Sequence, residues 1–553
     1  MRITTNNIDF ELPSNFEAEL TRNNVLLTDA GEQTAPITLP GSPHNLRLIG
    51  HSDRIDNYYK PLTDLDVVVS DGLFNRPCNL GIHTANAVDG ISCTIYLGTG
   101  DFYSRIGNTR LNWIGWPVIK SPTFDSQTLA QRVQYLIDLL KAQYTTPTNI
   151  SEFGIRPVAT TQEYTWKKPD NSNVKGILIL NGFEKYQSTL DLSQAEYIEK
   201  FEGEYTQHMV VGEDTITITT GYGMTPFLKI RYMIEFIFQS FGYTTDLSAL
   251  VSLTPNFEHN TLLLNNVADA IYSGTLYYKQ LVPDITIKEF LAEINKEFSG
   301  TFNVNEATKV ATFYRYQDQL NAASDIDLTQ YSCSLPKVGI PEFKTIQLNE
   351  TISTKSETSE TKEKIEIIEF DFAKTVDVID EYKTNIDTYV SSIQLSIVTI
   401  SEIVHLNSTI VVNGVSTTEN INTSTLMKLI YAKNEWQEIS VYRVNNGYVS
   451  VYYRVSTPPF YNDFLDEYSD YIATPLLVEE MFYLEYKAFR LNSNIPLEVE
   501  MDIPPVILEK MNLQTPKLLN GQKVMIESIV QILGRKGTQK VKFRTLRGYI
   551  DRE

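Results

Sequence analysis

Cysteine and histidine are both in short supply. Cys78, Cys93 and Cys333 are the only cysteines in 553 residues, and histidines stand only at 44, 51, 83, 208, 259 and 405. Three scattered thiols cannot build a disulfide framework or an all-cysteine zinc site, so small buried side chains are the simpler reading. No two histidines have the one-turn helical spacing of a metal-ligand pair, and each reads as a lone structural or surface residue. Gly-x-Ser-x-Gly, which strains a turn to expose a nucleophilic serine, is missing, and so is the phosphate-cradling Gly-x-x-x-x-Gly-Lys-Ser/Thr. "GYGMTP" (Gly221 to Pro226) opens like a nucleotide loop but lacks a third glycine, and is read as turn chemistry.

Long apolar runs are wanting too. No stretch approaches the roughly 18 uninterrupted apolar residues of a membrane span, so no stable membrane insertion is expected. The opening "MRITTNNIDFELPSNFEAEL" has neither the basic start nor the apolar run of a secretory signal, so the chain is expected to be made in a cytoplasm and to stay soluble. Positive charge is outnumbered, with 47 Lys and Arg against 68 Asp and Glu and a net charge of −21. That balance argues against duplex DNA or an anionic membrane as the main partner, because both demand a cationic footprint. The carboxylate clusters Asp466-Glu467 and Glu479-Glu480 are read as a solvated acidic face rather than a glycosidase pair. No catalytic, metal-binding or cofactor-binding residue is assigned, and the chain is expected not to be an enzyme.

What is present is aromatic and β-branched. Thirty-two tyrosines and 25 phenylalanines, with recurrent β-branched runs, tilt the fold toward strands. The length suits several domains. Residues 1–120 read as an N-terminal β-barrel or sheet, with turns at Asp71-Gly72 and Asp89-Gly90. Residues 121–215 form a connecting region whose helix, Asp125 to Gln143, aligns Leu129, Val133, Leu136, Ile137 and Leu140, with Thr145-Thr146-Pro147 closing it.

Residues 216–340 read as an α+β domain with two helices of one apolar template. Ile230, Met233, Ile234, Ile237 and Phe241 repeat the spacing of Ile287, Phe290, Leu291, Ile294 and Phe298. An internal repeat is one reading; the other is that any two amphipathic helices share this spacing. Each is expected to stop at a glycine, Gly242 or Gly300. Thr286 and Glu289 can form a capping box, Pro226 sits near the first helix start, and "TFNVNEATKVATFYRY" reads as a hairpin lying on the second helix.

Residues 341–374 read as strands and a charged linker of a second barrel, 375–500 as a β-rich inserted domain, and 501–553 as strands and a basic hairpin completing that barrel. Within 521–553 stand Lys523, Arg535, Lys536, Lys540, Lys542, Arg544, Arg547 and Arg552 against Glu527, Asp551 and Glu553, a local balance of 8 − 3 = +5. The first seven of these cations are a candidate assembly interface; the bland reading is that they keep an edge hairpin from aggregating. In "PPFYNDFLDEYSDYI", Phe460, Tyr461, Phe464, Tyr468 and Tyr471 are candidate contacts for a glycan or protein partner, against a loop that buries its own aromatics.

Several segments together resemble a family. "MTPFLKIRYMIEFIFQSFGYTTD", "LLLNNVADAI", the run from Leu281 to Tyr316, "LLNGQKVMIESIVQILGRKGTQKVKFRTLRGY", and near the start "ITLPGSPHNLRLIGHSDRID", "DGLFNRPCNLGI" and "DFYSRIGNTRL" resemble the hub-type tail or baseplate proteins of bacterial prophages. The resemblance implies a virion structural protein: two tail-tube-like antiparallel β-barrel domains joined by helix-plus-hairpin α+β modules. It implies a homotrimeric ring that adapts the tail tube to a spike among baseplate proteins, assembled in the bacterial host cytoplasm and resident in the virion tail. Genomic DNA would pass transiently through the lumen. The alternative is a tail-tip receptor- or glycan-binding protein, and a weaker one is a cell-wall-degrading tail enzyme inserted at 375–500.

Overall fold

A computed structural model describes residues 1–28, 31–57, 64–145, 223–253, 270–341 and 485–546 continuously, with shorter pieces, mostly strands, between 152 and 221, at 261–264 and between 345 and 456. The architecture is α+β and rich in antiparallel strands, as expected.

The largest element is an open sheet of 13 strands that draws on both extremes of the described sequence. From one end it runs through Ile8–Asp9, Arg2–Thr5, Asp64–Asp71, Phe74–Asn86, Gly90–Leu97, Glu32–Thr34 and Ala18–Asn23. It continues through Gln522–Leu533, Gln539–Thr545 and Pro496–Met501 to Lys337–Val338. The join is Ala18–Asn23, antiparallel to Gln522–Leu533 from Ala18 opposite Leu533 to Asn23 opposite Ser528. Alternation of apolar and polar residues lays one core under the N-terminal strands, with Leu20, Val69, Leu80 and Ile95, and another under the C-terminal ones, with Val499, Ile526, Val541 and Phe543. Among the described residues no sheet closes into the barrels that the family resemblance implies; this one is an open path with two ends.

Between the sheet and the rest lies a helical core. Helices Thr99–Ile106, Leu129–Thr145, Ile230–Ser240 and Ile287–Glu297 bury Phe102, Leu136, Ile234, Ile237, Phe290 and Ile294 together. Phe102 stacks on Phe238 at 4.8 Å between ring centres, and Phe238 meets Phe302 of the hairpin at 5.0 Å. That hairpin, Gly300–Asn305 with Val310–Arg315, pairs as the sequence indicates, and Thr244–Asp246 adds a parallel third strand. The helix expected from Asp125 begins at Leu129, after a short 3₁₀ turn at Phe124–Ser126, and its closing threonine is Thr145. Leu129 is exposed, so the stripe starts at Val133.

The sheets cross the sequence-based boundaries. Thr409–Val412 pairs with Asp214–Ile218, and Met427–Arg443 pairs with Thr261–Leu264, so strands from 375–500 share sheets with strands from 121–264. Met427–Arg443 also pairs with Gly447–Ser456 in a long hairpin.

Candidate functional site

The basic hairpin folds as expected, but the sheet answers much of its charge. Along Gln539–Thr545 the residues alternate, with Lys540 and Lys542 exposed and Val541 and Phe543 buried. The neighbouring strand sets Glu500 opposite Lys540 and Glu498 opposite Lys542, and Glu498 is flanked on its other side by Lys337. Opposite charges placed in this way each favour the pairing by roughly 0.2–1 kcal/mol. Arg544 is buried and donates from Nε to Glu527, while the Lys523 ammonium donates to the carbonyl of Leu320. Both are therefore structural pairs rather than open contacts. Arg535 and Lys536 are exposed in the turn that follows Leu533. Arg547 and Arg552 lie outside the described residues, as do Phe460, Tyr461, Phe464, Tyr468 and Tyr471. The sequence signal for the charge ladder was "PLEVEM", whose period-two glutamates mirror "QKVKF".

The two ends of the large sheet are alike in kind. Each is a strand of two residues, Ile8–Asp9 or Lys337–Val338, whose outer backbone edge has no strand partner among the described residues. Each carries an exposed aliphatic side chain, Ile8 at 47% and Val338 at 68%. At the second end Leu335 (89%) and Ile340 (55%) extend the apolar exposure. Charge guards the first end, where Arg2 Nη2 donates to both carboxylate oxygens of Asp9 at 2.9 Å. An unpaired strand edge is a template for another strand, and proteins usually blunt it with charge or bulges.

A cleft of about 680 Å³ lies where the two halves of the sheet meet the helical core. Arg76 reaches across it, donating from Nε to Glu509 at 2.9 Å and from Nη1 to Glu32 at 3.3 Å. Arg22 donates to Glu32 at 3.0 Å and to the carbonyl of Leu508 at 2.7 Å. Burial opposes ionisation of Glu32, but the guanidiniums of Arg22 and Arg76 outweigh it and hold the carboxyl below its ordinary pKa. The network braces four segments and leaves its charges already paired; the rest of the lining, such as Asn303, Thr312 and Gln514, is neutral.

Cys78 and Cys93 are buried, as the sequence suggests, and burial pushes both thiols up to about 12. Cys333 is exposed, against that expectation: it sits in the irregular approach to the edge strand Lys337–Val338. His44 bonds through Nε2 to the carbonyl of Asp9, and His83 to the Thr94 hydroxyl. Among the described residues no three His, Cys, Asp or Glu side chains converge as a metal site, and no helix is long and apolar enough to cross a membrane.

No protein-family model matches the chain, and no curated protein does. Among solved structures the chain is similar to the crystal structure of a 43 kDa tail protein of prophage MuSo2 from Shewanella oneidensis. The TM-score is 0.32 and the identity 8%, with 98% of this chain and 97% of that one covered.

Proposed function

We propose that the chain is a non-catalytic structural protein of a phage tail, a hub or tip adaptor that works as a homotrimeric ring between the tail tube and its spike. The observation that carries this reading is the open 13-stranded sheet with a short, apolar, unpaired strand at each end. Ends of different sequence cannot pair as equals across a two-fold axis. One end of one copy meeting the other end of the next is a heterologous contact, which either closes a ring or runs on as a filament. The resemblance of several sequence segments to prophage hub proteins supports three copies, baseplate neighbours and a place in the virion tail. Arg535 and Lys536, exposed at a turn tip, are the cations left to meet a neighbour or passing DNA.

The test is to place lysines on the second edge, Val338→Lys with Ile340→Lys, since edge lysines resist strand addition. Both side chains are exposed, so the isolated chain should keep its melting temperature. The variant should fail to enter particles made with its tail neighbours. Normal particles carrying both changes would sink the edge contact, and a particle map showing two or six copies would sink the trimer.

A further inference from the structure

The long hairpin formed by Met427–Arg443 and Gly447–Ser456 sorts its residues by chemistry, and only the register reveals it. The pairs alternate between its two faces. One face takes Ile439 opposite Val451 and Val441 opposite Val449, with Gln437 opposite Tyr453 at its far end. The centre of that face is wholly β-branched and aliphatic, which is what a protein core takes. The other face takes Trp436 opposite Arg454, Glu438 opposite Tyr452, Ser440 opposite Ser450, and Tyr442 opposite Tyr448. It holds four aromatic residues, two hydroxyls, one carboxylate and one guanidinium, and no aliphatic residue at all.

We infer that this second face is a binding platform for an uncharged, unbranched glycan. A sugar ring offers C–H groups on its faces and hydroxyls at its rim. Aromatic rings suit the first, and carboxylate, guanidinium and serine hydroxyls suit the second. A nucleic acid or acidic polymer is a poor fit, because one Glu438 and one Arg454 leave the face without net charge. A conventional protein interface would be expected to put aliphatic side chains at its centre, and here the centre is Ser440 opposite Ser450. The four rows span about 20 Å at about 3.4 Å per residue, so the platform suits an oligosaccharide better than a single sugar. The inference is independent of the ring proposed above, since none of these residues lies in the large sheet.

The experiment uses the full chain on immobilised, neutral hexasaccharides of β-linked glucose, galactose and mannose. Saturable retention is expected on at least one. Tyr442→Ala with Tyr448→Ala should weaken it roughly tenfold, and Gln437→Ala on the opposite face should leave it unchanged. If the double variant does not fold, Trp436→Phe replaces it: retention should persist while the tryptophan emission shift caused by the retained sugar shrinks. Failure of the folded wild-type chain to bind any of the three probes would overturn the inference, as would equal loss on Gln437→Ala. A wild-type chain that ignores all three, with a double variant that no longer enters particles, would assign the face to a protein contact instead.

Discussion

Helices Ile230–Ser240 and Ile287–Glu297 sink the same apolar template into one core, yet they begin and end by different means. The first springs directly from the strand Phe227–Lys229, which is paired on both sides, with Phe153–Gly154 and with Thr261–Leu264. Its N-cap position, Lys229, makes no side-chain capping bond. The second follows a loop, and there a capping box forms: Glu289 N donates to the Thr286 hydroxyl at 3.1 Å, and Thr286 N donates back to Glu289 at 2.7 Å. Where a sheet already fixes the chain's direction, the first turn needs no local cap. Where a loop delivers the chain, the sequence must supply one.

The ends differ as well. After the first helix the left-handed residue is Gly242, at φ 83°. After the second it is Ser299, at φ 44°, and Gly300, the expected stop, is the first residue of a strand instead. Gly300 is needed for space rather than for turning, since a Cβ there would lie 2.4 Å from the carbonyl oxygen of Tyr314. The two helix–strand units are not a translational repeat either. Thr244–Asp246 runs parallel to the shared strand Val310–Arg315, and Gly300–Asn305 runs antiparallel to it.

The comparison breaks most sharply in the core. Ile237 and Ile294 occupy matching template positions and both are fully buried, so Ile237→Asp and Ile294→Asp should each cost several kcal/mol. A melting temperature unchanged by either would show that its helix does not pack by this face. At the last template position the helices part, because Phe298 is fully buried and Phe241 only half so. Phe298→Ala should cost about 3–5 kcal/mol and Phe241→Ala clearly less, measured by denaturant unfolding. Equal losses would erase the distinction.

Smaller effects sharpen the contrast at the termini. Thr286→Ala should cost about 1 kcal/mol. Gly242→Ala should also cost about 1 kcal/mol, through backbone strain alone, because a methyl group there meets nothing within 4 Å. The smallest effect is a pH dependence confined to the second helix. Hydrogen bonds from the backbone and then the hydroxyl of Thr286 hold Glu289 below its ordinary pKa. A depressed carboxylate contributes stability above its unfolded pKa, near 4.5, and loses it as pH falls through the folded value. The cost of Thr286→Ala should therefore shrink in acid. A cost that stays constant there would mean the box rests on the threonine hydroxyl alone.

Local devices were legible in the sequence. The helix stripes, the capping box and the hairpin at Asn305 all depend on residues within a few positions of one another, which is where periodicity and turn chemistry leave their mark. The join of Ala18–Asn23 to Gln522–Leu533 left none, since either strand alone would suit any neighbour of like pattern. The same holds for the assembly surfaces. A count of lysines and arginines flagged the C-terminal hairpin, but only register shows Glu498 and Glu500 beside them. No composition flagged the aliphatic edge at Val338.

That same join sets a timetable. At about 5–20 residues per second, synthesis separates Ala18–Asn23 from its partner Gln522–Leu533 by on the order of a minute. Through that interval the earlier strand stands without its neighbour, an open invitation to aggregation that the finished sheet withdraws. Closing so long a loop is also slow, because its entropy must be met before the contacts reward it. A nascent chain would therefore be expected to depend on chaperones for most of its synthesis, and the large sheet cannot be completed before the C-terminal strands emerge.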